Sequence, residues 1–556
     1  MKRKKLIEII VGILVLCASL PALGQVLPVG TPVLEDYYRR LQLLGKIDST
    51  ISFSVRPLTN EALQQENIYD PLIENAYQPA KIGWKNQHGF VHVMPVEWKN
   101  QFVSSFPTGW NDGPIIPAKG YQTYLSAGIQ AQYKFLSIQL RPEFVYAQNS
   151  DFDGAWGEGY TGIPYSFYYS QGIDYPERFG RRSYSKIFPG QSFVKVNLFG
   201  LSLGISTENL WWGPGMRNSL LMSNTAPGFL HGTIGTNKPV RTGIGSFEGQ
   251  LVSGRLAYSD FIRPDVIDPT DWRYFSGIIF SYQPKWIPGL SLGIINVFTV
   301  NKKDMGNRLG DYIPFFSSNS SSSSIDLNDP ANASDAGAQD RNLSVFARWM
   351  VPSAHFEIYG EYARNDHGWD TRDLVVSANH SRSYLIGINK LVNLKTSSED
   401  MLQIRGEVTQ LEQPKISILR STAPMYVHQV VRGGYTHEGQ ILGAGVGVGN
   451  NIQSLEISWV RRLKQLGIRL DRLVHDNDTF YRQIEDFRRN WVDLNITAVA
   501  AWDIKRLLLS SNLQFTKAFN YQYRLEERGG TGNNFWNFVH QDKSNLYWTL
   551  SALYRF

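Results

Sequence analysis

The chain ends in Leu546-Tyr547-Trp548-Thr549-Leu550-Ser551-Ala552-Leu553-Tyr554-Arg555-Phe556, and this stretch decides the fold. Apolar and aromatic side chains occupy its even positions, whereas Thr549, Ser551 and Arg555 occupy odd positions. Alternation with a period of two is typical of a strand with one face in lipid and the other in a polar lumen. A terminal Phe with an aromatic residue two positions earlier resembles the signal that the barrel-assembly machinery reads. The same pattern also fits an amphipathic edge strand of a soluble β-sandwich.

The N-terminus carries an export signal, which favours the membrane interpretation. Lys2-Arg3-Lys4-Lys5 precede the apolar run 6–20, and Ala22-Leu23-Gly24 supplies small residues where a signal peptidase cleaves. We therefore predict a signal peptide at 1–24 and a mature chain that starts at Gln25.

The single cysteine, Cys17, would leave with this signal. A mature chain without thiols excludes disulfides, thiolate metal ligands and a cysteine nucleophile. A lipoprotein signal ending at Cys17 is the alternative, but Leu16 disfavours it, because the lipoprotein peptidase prefers a small residue there.

Composition narrows the class of protein. Without residues 1–24 the sequence contains 51 basic and 48 acidic side chains, a net charge of +3 that gives no support to a nucleic-acid partner. No later stretch of 18 or more apolar residues predicts a membrane helix. Tyr and Phe together number 57, which fits the aromatic girdles of an outer-membrane barrel.

Period-two alternation persists from about residue 88 onward. Within 121–135, residues such as Leu125 and Ile129 are expected to face lipid, whereas Gln122 and Gln130 are expected to face inward. Polar inner faces predict a hydrated or plugged lumen rather than a dry core.

Long and short connections alternate along the chain, as they do in barrels with short periplasmic turns and long outer loops. The sequence therefore predicts an all-β fold, a transmembrane outer-membrane antiparallel β-barrel of about 18 strands in residues 88–556. The strands are predicted at 89–105, 120–134, 136–148, 191–199, 200–208, 228–242, 245–258, 273–284, 289–300, 341–351, 353–364, 380–392, 399–411, 451–462, 465–475, 489–503, 506–519 and 544–556.

Residues 25–87 are predicted to form an N-terminal periplasmic helical segment that packs against or into the barrel base. A helix over 31–45 would be capped by Thr31 and end at Gly45, with Pro32 at its first position. Shorter helices are expected near 59–66 and 70–76. The apolar face of the first helix would comprise Leu34, Tyr37, Leu41 and Leu44.

The stretch 205–229 reads Ile-Ser-Thr-Glu-Asn-Leu-Trp-Trp-Gly-Pro-Gly-Met-Arg-Asn-Ser-Leu-Leu-Met-Ser-Asn-Thr-Ala-Pro-Gly-Phe. A strand is expected to end near Glu208, and Gly213-Pro214-Gly215 predicts a tight turn after the two tryptophans. The alternation of loops places this stretch near the extracellular mouth.

This double Trp before Gly-Pro-Gly, followed by Ser-Asn-x-Ala-Pro, closely resembles the signature of the capsule assembly Wzi family, and the resemblance covers nearly all of the mature chain. It implies an eighteen-stranded outer-membrane barrel of a Gram-negative cell that holds capsular or exopolysaccharide at the surface without catalysing a reaction. The implied partners are the polysaccharide, outer-membrane lipids and the barrel-assembly machinery. The N-terminal helical part is shorter than in better-known members, which puts a periplasmic docking role in doubt.

Loop 149–190 is rich in rings and in charged residues. Aromatic faces stack on sugar rings, while carboxylates and guanidinium groups hydrogen-bond to hydroxyls or acidic sugars. An aromatic girdle with ordinary loop packing is the alternative for this loop. For Trp211 and Trp212 the alternative is a structural role, in which both rings pack a loop folded into the lumen with Glu208 and Arg217 paired beside them. The candidate polysaccharide-binding residues are Trp156, Tyr160, Tyr168, Tyr169, Trp211, Trp212, Arg217 and Asn224.

Other segments carry weaker signals. Residues 317–337 are serine-rich and predict a solvated outer loop, and the glycine-rich 437–449 is expected in an outer loop or plug. Gly200-Leu201-Ser202-Leu203-Gly204 matches a hydrolase motif, but its alternation predicts a strand with no helix after it. No catalytic residue, metal site or cofactor is predicted.

Two other functions stay open. A porin or polysaccharide-exit channel would also have a polar lumen. An outer-membrane lipase would need a Ser/His pair near the lipid interface, and the sequence shows no convincing one.

Overall fold

One antiparallel sheet, closed on itself, contains most of the strands in this computed structural model. The structure describes residues 25–65, 67–72, 89–154, 172–262, 268, 270–306, 309–313, 339–365, 371–397, 399–414, 423–428, 430–527 and 536–556. The predicted signal peptide at 1–24 and the serine-rich 317–337 lie outside these residues. Among the described residues, no helix has the length and apolar character needed to cross a membrane.

The barrel of the described chain has eighteen strands. Its sheet contains 23 hydrogen-bonded segments, and five pairs of them are consecutive halves of one interrupted strand. The last strand pairs with the first, Tyr547 opposite Val103 and Tyr554 opposite Val96, so the sheet closes on itself. The predicted strand number and antiparallel order are confirmed.

The strands are labelled β1 to β18 in chain order. They are β1 Gly89–Val93 and Val96–Val103, β2 Gly120–Ser126 and Ile129–Tyr133, β3 Leu136–Leu140 and Glu143–Ala147, β4 Tyr184–Phe188 and Phe193–Leu198, β5 Leu201–Ser206, β6 His231–Thr236 and Val240–Thr242, β7 Gly245–Leu256, β8 Arg273–Pro284, β9 Leu290–Asn301, β10 Gln339–Val351, β11 Phe356–Asn365, β12 Arg382–Asn393, β13 Met401–Gln410, β14 Asn451–Arg461, β15 Lys464–Val474, β16 Val492–Ile504, β17 Leu507–Phe519 and β18 Lys543–Tyr554.

Proline explains three of the five interruptions. Pro95, Pro142 and Pro189 lie between the halves of β1, β3 and β4, and a proline cannot donate a ladder hydrogen bond. The first half of β4 begins at Tyr184, although the sequence predicted this strand only from 191. The ladder between Ala147 and Tyr184 shows that the predicted long loop 149–190 includes seven residues of this strand and its break.

The two faces of the wall differ as the alternation predicts. Leu494, Ile496, Leu513 and Phe515 of β16 and β17 expose their side chains outward. Their sequence neighbours such as Asn495, Thr497 and Gln514 are buried inside. The outer face is therefore an apolar belt, and the lumen is lined by polar groups.

Connections of two lengths separate the two ends of the barrel. Turns such as 134–135 and 505–506 join strands at one end, whereas connections such as 207–230 and 411–450 join them at the other. Because these barrels have short periplasmic turns and long extracellular loops, the first end is periplasmic and the second is the outer end.

Residues 25–72 pack inside the periplasmic end of the barrel. Helix α1, Pro32–Leu43, buries Leu34 and Tyr37 in a cluster that also contains Leu463, Leu508 and Leu553 from the wall. The polar side of the helix is buried as well, because charged side chains of the lumen form ion pairs with it. Arg39 Nε lies 2.7 Å from Glu357 Oε1, and Arg405 Nη1 lies 3.0 Å from Asp36 Oδ1.

The predicted cap of α1 is wrong in its detail. The Thr31 side chain makes no capping hydrogen bond and donates instead to Pro28 O. Glu35 Oε1 accepts from the backbone N–H groups of Gly30 and Thr31. The carboxylate of the first turn therefore satisfies the donors that precede the helix.

The remaining helices are short. They are α2 Asn60–Leu63, α3 Leu309–Tyr312, α4 Thr371–Val376 and α5 Asn477–Thr479, which runs into a π-helical turn at Phe480–Ile484. Helix α2 lies within the predicted helix 59–66, and most of the helix predicted at 70–76 lies outside the described residues.

Candidate glycan-binding site and plugged lumen

The Trp-Trp segment lies in the interior of the barrel and not at its mouth. Trp211 and Trp212 form a two-stranded ladder with Arg56 and Val55 of the N-terminal segment. Trp212 is fully buried, and its indole N–H donates to Gln250 Oε1 over 2.9 Å. An added Cβ on Gly277 would lie 2.8 Å from the Trp212 ring, so the ring packs directly on the backbone of β8. The expected position at the mouth is therefore wrong.

The Gly-Pro-Gly turn places three backbone N–H groups around one carboxylate. Glu407 of β13 accepts from Met216, Arg217 and Asn218 over 2.8 to 3.1 Å, and from the Tyr359 hydroxyl over 2.9 Å. Successive backbone N–H groups make an anion-binding concavity. The wall thus provides the anion that holds the connection 207–230, which we call the inward loop.

Arg217 and Asn224 also serve the packing of this loop. Arg217 Cζ lies 5.1 Å from the centroid of the Trp110 ring, and its Nη2 lies 3.5 Å from Asp471 Oδ2. The Asn224 amide donates to Asn111 O, and its oxygen accepts from Asn209. These contacts tie the loop to the 104–119 connection.

The expected pairing of Glu208 with Arg217 is wrong. The Glu208 carboxylate pairs with Lys195 and accepts a hydrogen bond from Ser206. Both partners belong to the wall next to the start of the loop, whereas Arg217 lies farther along it and pairs with Asp471 of β15.

The glycine-rich run 437–449 also lies in the lumen. Together with the N-terminal segment and the inward loop it fills the barrel, and we call these three segments the plug. Ser223 N–H donates to Leu442 O over 2.8 Å, which joins this run to the inward loop. An added Cβ on Gly443 would lie 2.3 Å from Leu220 O, and one on Gly445 would lie 2.6 Å from Trp110 Cβ. Glycine is therefore required by the close approach of two loops.

Between the plug and one side of the wall lies a cavity of about 310 Å³, called here the lumen cavity. Trp211, Arg217 and Asn224 line it, whereas Trp212 does not. Its charged lining groups are six basic and six acidic. They are Arg39, Arg56, Lys99, Arg217, Arg405, Arg469, Glu35, Asp36, Glu97, Asp112, Glu407 and Glu456.

The four ring candidates of loop 149–190, namely Trp156, Tyr160, Tyr168 and Tyr169, lie outside the described residues. Several of the described charged residues of this loop form ion pairs. Arg178 pairs with Asp151 over 2.6 Å, and Asp153 pairs with Arg524 of the β17–β18 loop and with Lys543, the first residue of β18. Burial opposes ionisation of Asp153, but the hydrogen bonds from Lys543 and Arg524 outweigh it and lower its pKa. These pairs hold neighbouring outer loops together.

The outer end contains a second cavity, of about 240 Å³, which the sequence did not predict as a site. We call it the outer pocket. Seven aromatic rings from four connections line it, together with His475, Asp493 and the glycine-rich run. The rings are Phe106, Trp110, Phe152, Tyr175, Trp491, Tyr521 and Tyr523.

Trp491 is the half-buried centre of this ring cluster. The His475 ring stacks on it, with centroids 3.7 Å apart and planes at 14°. Tyr521 and Tyr523 approach it edge-on, at 5.2 and 5.7 Å. Its indole N–H donates to Asp493 Oδ1 over 2.9 Å, and the other oxygen of Asp493 lies 2.9 Å from His475 Nε2. The orientation of the indole is therefore fixed before any ligand arrives.

Two further rings of the same outer loops face solvent. Phe487 and Trp536 expose 63% and 66% of their side chains, and their centroids lie 5.7 Å apart at an angle of 63°. We call this pair the outer ridge. Exposed aromatic pairs on a surface indicate a contact site.

The sequence contained one signal that could have located this site. Trp491, Tyr521 and Tyr523 each lie next to the end of a strand, in connections 475–491 and 520–542. Residues that leave adjacent strands β16 and β17 at the same end must lie close together. The many aromatic residues of loop 149–190 instead favoured that loop as the binding site.

Comparison with known proteins agrees with the barrel fold. The sequence model of the family described as capsule assembly protein Wzi matches residues 107–542. The chain belongs to the Wzi family. As a member of this family with an apolar outer belt, it is an outer-membrane β-barrel. No curated protein sequence matches the chain.

The solved structure of one Wzi protein has the same fold as this chain. Wzi of Escherichia coli, an outer-membrane protein involved in group 1 capsule assembly and a carbohydrate-binding β-barrel, superposes with a TM-score of 0.57 at 12% identity. That match covers 96% of this chain and 100% of the E. coli chain. OccAB2 of Acinetobacter baumannii has a TM-score of 0.40 at 11% identity, over 83% of this chain and 98% of its own.

Proposed function

We propose that this protein binds capsular or exopolysaccharide at the outer face of the outer membrane and retains it there without catalysing a reaction. The observation that carries the proposal is the outer pocket, where a fixed Trp491 lies among other rings and hydrogen-bonding groups. Sugar rings have apolar C–H faces that pack on aromatic rings, and hydroxyls that bond to carboxylates and amides. Membership in the Wzi family, and the carbohydrate binding of the E. coli relative, support the same function.

The mechanism we propose is multivalent. One pocket of about 240 Å³ holds only a short piece of a glycan, whereas the outer ridge offers a second contact to the same chain. Several weak contacts on one long polymer raise its overall avidity, because each bound unit increases the local concentration of the next. The four ring candidates of loop 149–190 would add to this surface.

The filled lumen favours binding over transport. The N-terminal segment occupies the periplasmic end, and the inward loop meets it through the ladder at Trp211 and Trp212. The glycine-rich run packs against Leu220 and Thr225 of the inward loop. A porin or exit channel would need these groups to leave the lumen.

The lipase alternative receives little support from the described residues. His380 and Ser381 lie in hydrogen-bond contact, with 2.9 Å between Nδ1 and Oγ, but both side chains are buried. Ser202 of the Gly-x-Ser-x-Gly match lies in the wall on β5, paired with Asn197 and Gly235. A strained turn between a strand and a helix, which that motif requires, is replaced by regular strand.

The test compares a deletion strain with its parent and measures cell-bound and released polysaccharide. We expect the bound fraction to fall and the released fraction to rise, because synthesis and export continue without retention. Complementation with Trp491→Ala should restore little retention, and Trp286→Ala, which removes an exposed ring at the periplasmic end, should restore it fully. Unchanged polysaccharide together with reduced uptake of small solutes would instead support a porin.

A further inference from the structure

The charged groups of the outer pocket share one sign. Among the described residues that line it, Glu177, Asp476 and Asp493 are acidic, and none is a lysine or an arginine. His475 is the only other lining side chain that can carry charge, and its Nε2 already lies 2.9 Å from Asp493 Oδ2. A carboxylate that entered the pocket would meet like charges.

The basic groups nearest to the pocket rings are already paired. Lys543 Nζ lies 4.6 Å from the centroid of the Tyr521 ring, but it forms an ion pair with Asp153, as does Arg524. Arg489 pairs with Asp486. Recognition of an acidic sugar uses guanidinium or ammonium groups that can turn to the ligand, and here such groups serve the loops themselves.

The outer loops as a whole are also negatively charged. The nine long connections between β1 and β18 contain 28 acidic and 18 basic side chains, a net charge of −10 with neutral histidines. The chain after residue 24 has a net charge of +3 in total, so the negative charge is concentrated at the outer end. A polyanionic chain would be repelled before it reached the pocket.

We propose that the outer pocket takes an uncharged stretch of polysaccharide and discriminates against uronate or phosphate-bearing chains. This inference rests on the proposed function, and it adds the chemical class of the glycan. Sugar hydroxyls donate to the carboxylates of Glu177 and Asp493, and the rings supply apolar contact, so a neutral chain satisfies both kinds of lining group. A carboxylate at the same place would lose its hydration without gaining a cation.

The experiment uses the full chain in detergent and the surface polysaccharide purified from the bacterium that carries it. An anion exchanger separates that material into neutral and acidic chains. Part of the acidic material is carboxyl-reduced, which converts uronates to neutral sugars and keeps the linkages. Affinity for each of the three probes is measured by calorimetry, from about 0.05 to about 0.5 M NaCl, a range over which the screening length falls severalfold.

We expect the neutral chains to bind with an affinity that salt leaves unchanged. The acidic chains should bind about tenfold more weakly or not at all, and carboxyl reduction should restore binding, because it removes a like-charge contact. The variant Glu177→Gln should raise the affinity for the acidic chains relative to that for the neutral chains, since an amide keeps the shape and removes the charge.

Tighter binding of the acidic chains, lost on carboxyl reduction and at high salt, would overturn the inference. If that binding also disappears in Trp491→Ala, the proposed function stands and only the charge preference fails. If none of the three probes binds, the proposed function fails together with this inference. The carboxyl-reduction arm needs no variant, so a misfolded Glu177→Gln protein would leave the result decisive.

Discussion

The guanidinium of Arg56 lies over the Trp211 ring, with Cζ 4.5 Å from its centroid. One residue comes from the N-terminal segment and the other from a loop that leaves the outer end of the wall. Their backbones also pair, and Arg56 Nη1 lies 2.7 Å from Glu35 Oε2. Arg56 is therefore one of the residues that join the periplasmic and outer parts of the plug, together with the backbone ladder and the hydrogen bond from Arg39 to Pro214 O.

Replacing Arg56 by methionine should weaken the junction between the two parts. The change removes a cation–π contact and the ion-pair partner of Glu35, whose carboxylate keeps its hydrogen bonds from Gly30 and Thr31, so the cost is about 1–3 kcal/mol. We expect a lower melting temperature and frequent openings in single-channel recordings. Arg241→Met is the matched control, because its ion pair with Asp48 lies on a largely exposed side chain and contributes about 0–1 kcal/mol. Equal conductance of both variants would contradict this role of Arg56.

Trp212→Ala should destabilise the protein without changing the outer pocket, where we propose that the glycan binds. The ring is fully buried against Gly277, so its removal leaves a cavity and costs about 3–5 kcal/mol. Thermal unfolding should show the loss, while the affinity for surface polysaccharide per folded molecule stays as in the wild type. A folded Trp212→Ala protein with lost affinity would give this residue a direct role in binding.

Glu407→Gln should loosen the inward loop. The carboxylate accepts from three successive backbone N–H groups, and an amide offers only one acceptor oxygen to them. Each buried donor left without a partner costs about 1–3 kcal/mol. Hydrogen exchange at 216–218 should become faster, while exchange in the wall strands stays slow. Unchanged exchange at these three amides would show that the carboxylate does not hold the loop.

The wall could be predicted strand by strand from the sequence, whereas the plug could be predicted only as one of several alternatives, for one physical reason. Alternation such as that of β16 to β18 is local, because each residue faces lipid or lumen by its place in its own strand. The ladder of Trp211 and Trp212 with Arg56 and Val55 joins segments that meet only inside a closed barrel. Two adjacent tryptophans carry no local mark that decides between a position at the mouth and a loop folded into the lumen, so the sequence left both open.

The candidate site shows the same limit of prediction from local sequence patterns. Trp211, Arg217 and Asn224 are brought together around the lumen cavity, but Asp471, Trp110 and Asn209 hold Arg217 and Asn224 as parts of the plug. The outer pocket draws its rings from connections far apart in sequence. Their convergence depends on the order of strands around the barrel, which periodicity does not reveal.

The outer loop that contains α5 should become less stable as the pH rises. Burial, followed by the charge of Asp476, raises the pKa of Asp478 from 3.8 to about 8. Between these values the folded loop retains a proton that the unfolded chain has lost, so stability falls with increasing pH, by at most about 1.4 kcal/mol per pH unit. Below pH 4 both states are protonated and the dependence disappears.

Hydrogen exchange of 476–480, corrected for the intrinsic pH effect, measures this dependence. Protection should fall from pH 5 to pH 8 in the wild type. In Asp478→Asn the slope should flatten, because the amide does not titrate. Equal slopes in the two proteins would show that another group controls the loop.

The outer ridge predicts a dependence of affinity on polymer length. Trp536 lies on the surface beside Phe487, outside the lining of the outer pocket, so a short oligosaccharide that fills the pocket does not need it. A long chain can contact both places at once, and loss of the second contact reduces avidity. Trp536→Ala should therefore weaken binding of the full polymer by about tenfold and of a short fragment by less than about twofold. Trp491→Ala should weaken both, because the fragment and the polymer share the pocket.

Calorimetry with size-fractionated polysaccharide distinguishes these patterns, with Trp286→Ala as the control at the opposite end of the barrel. A uniform loss across all lengths in Trp536→Ala would mean that the ridge is part of the pocket, and that retention depends on one contact and not on several.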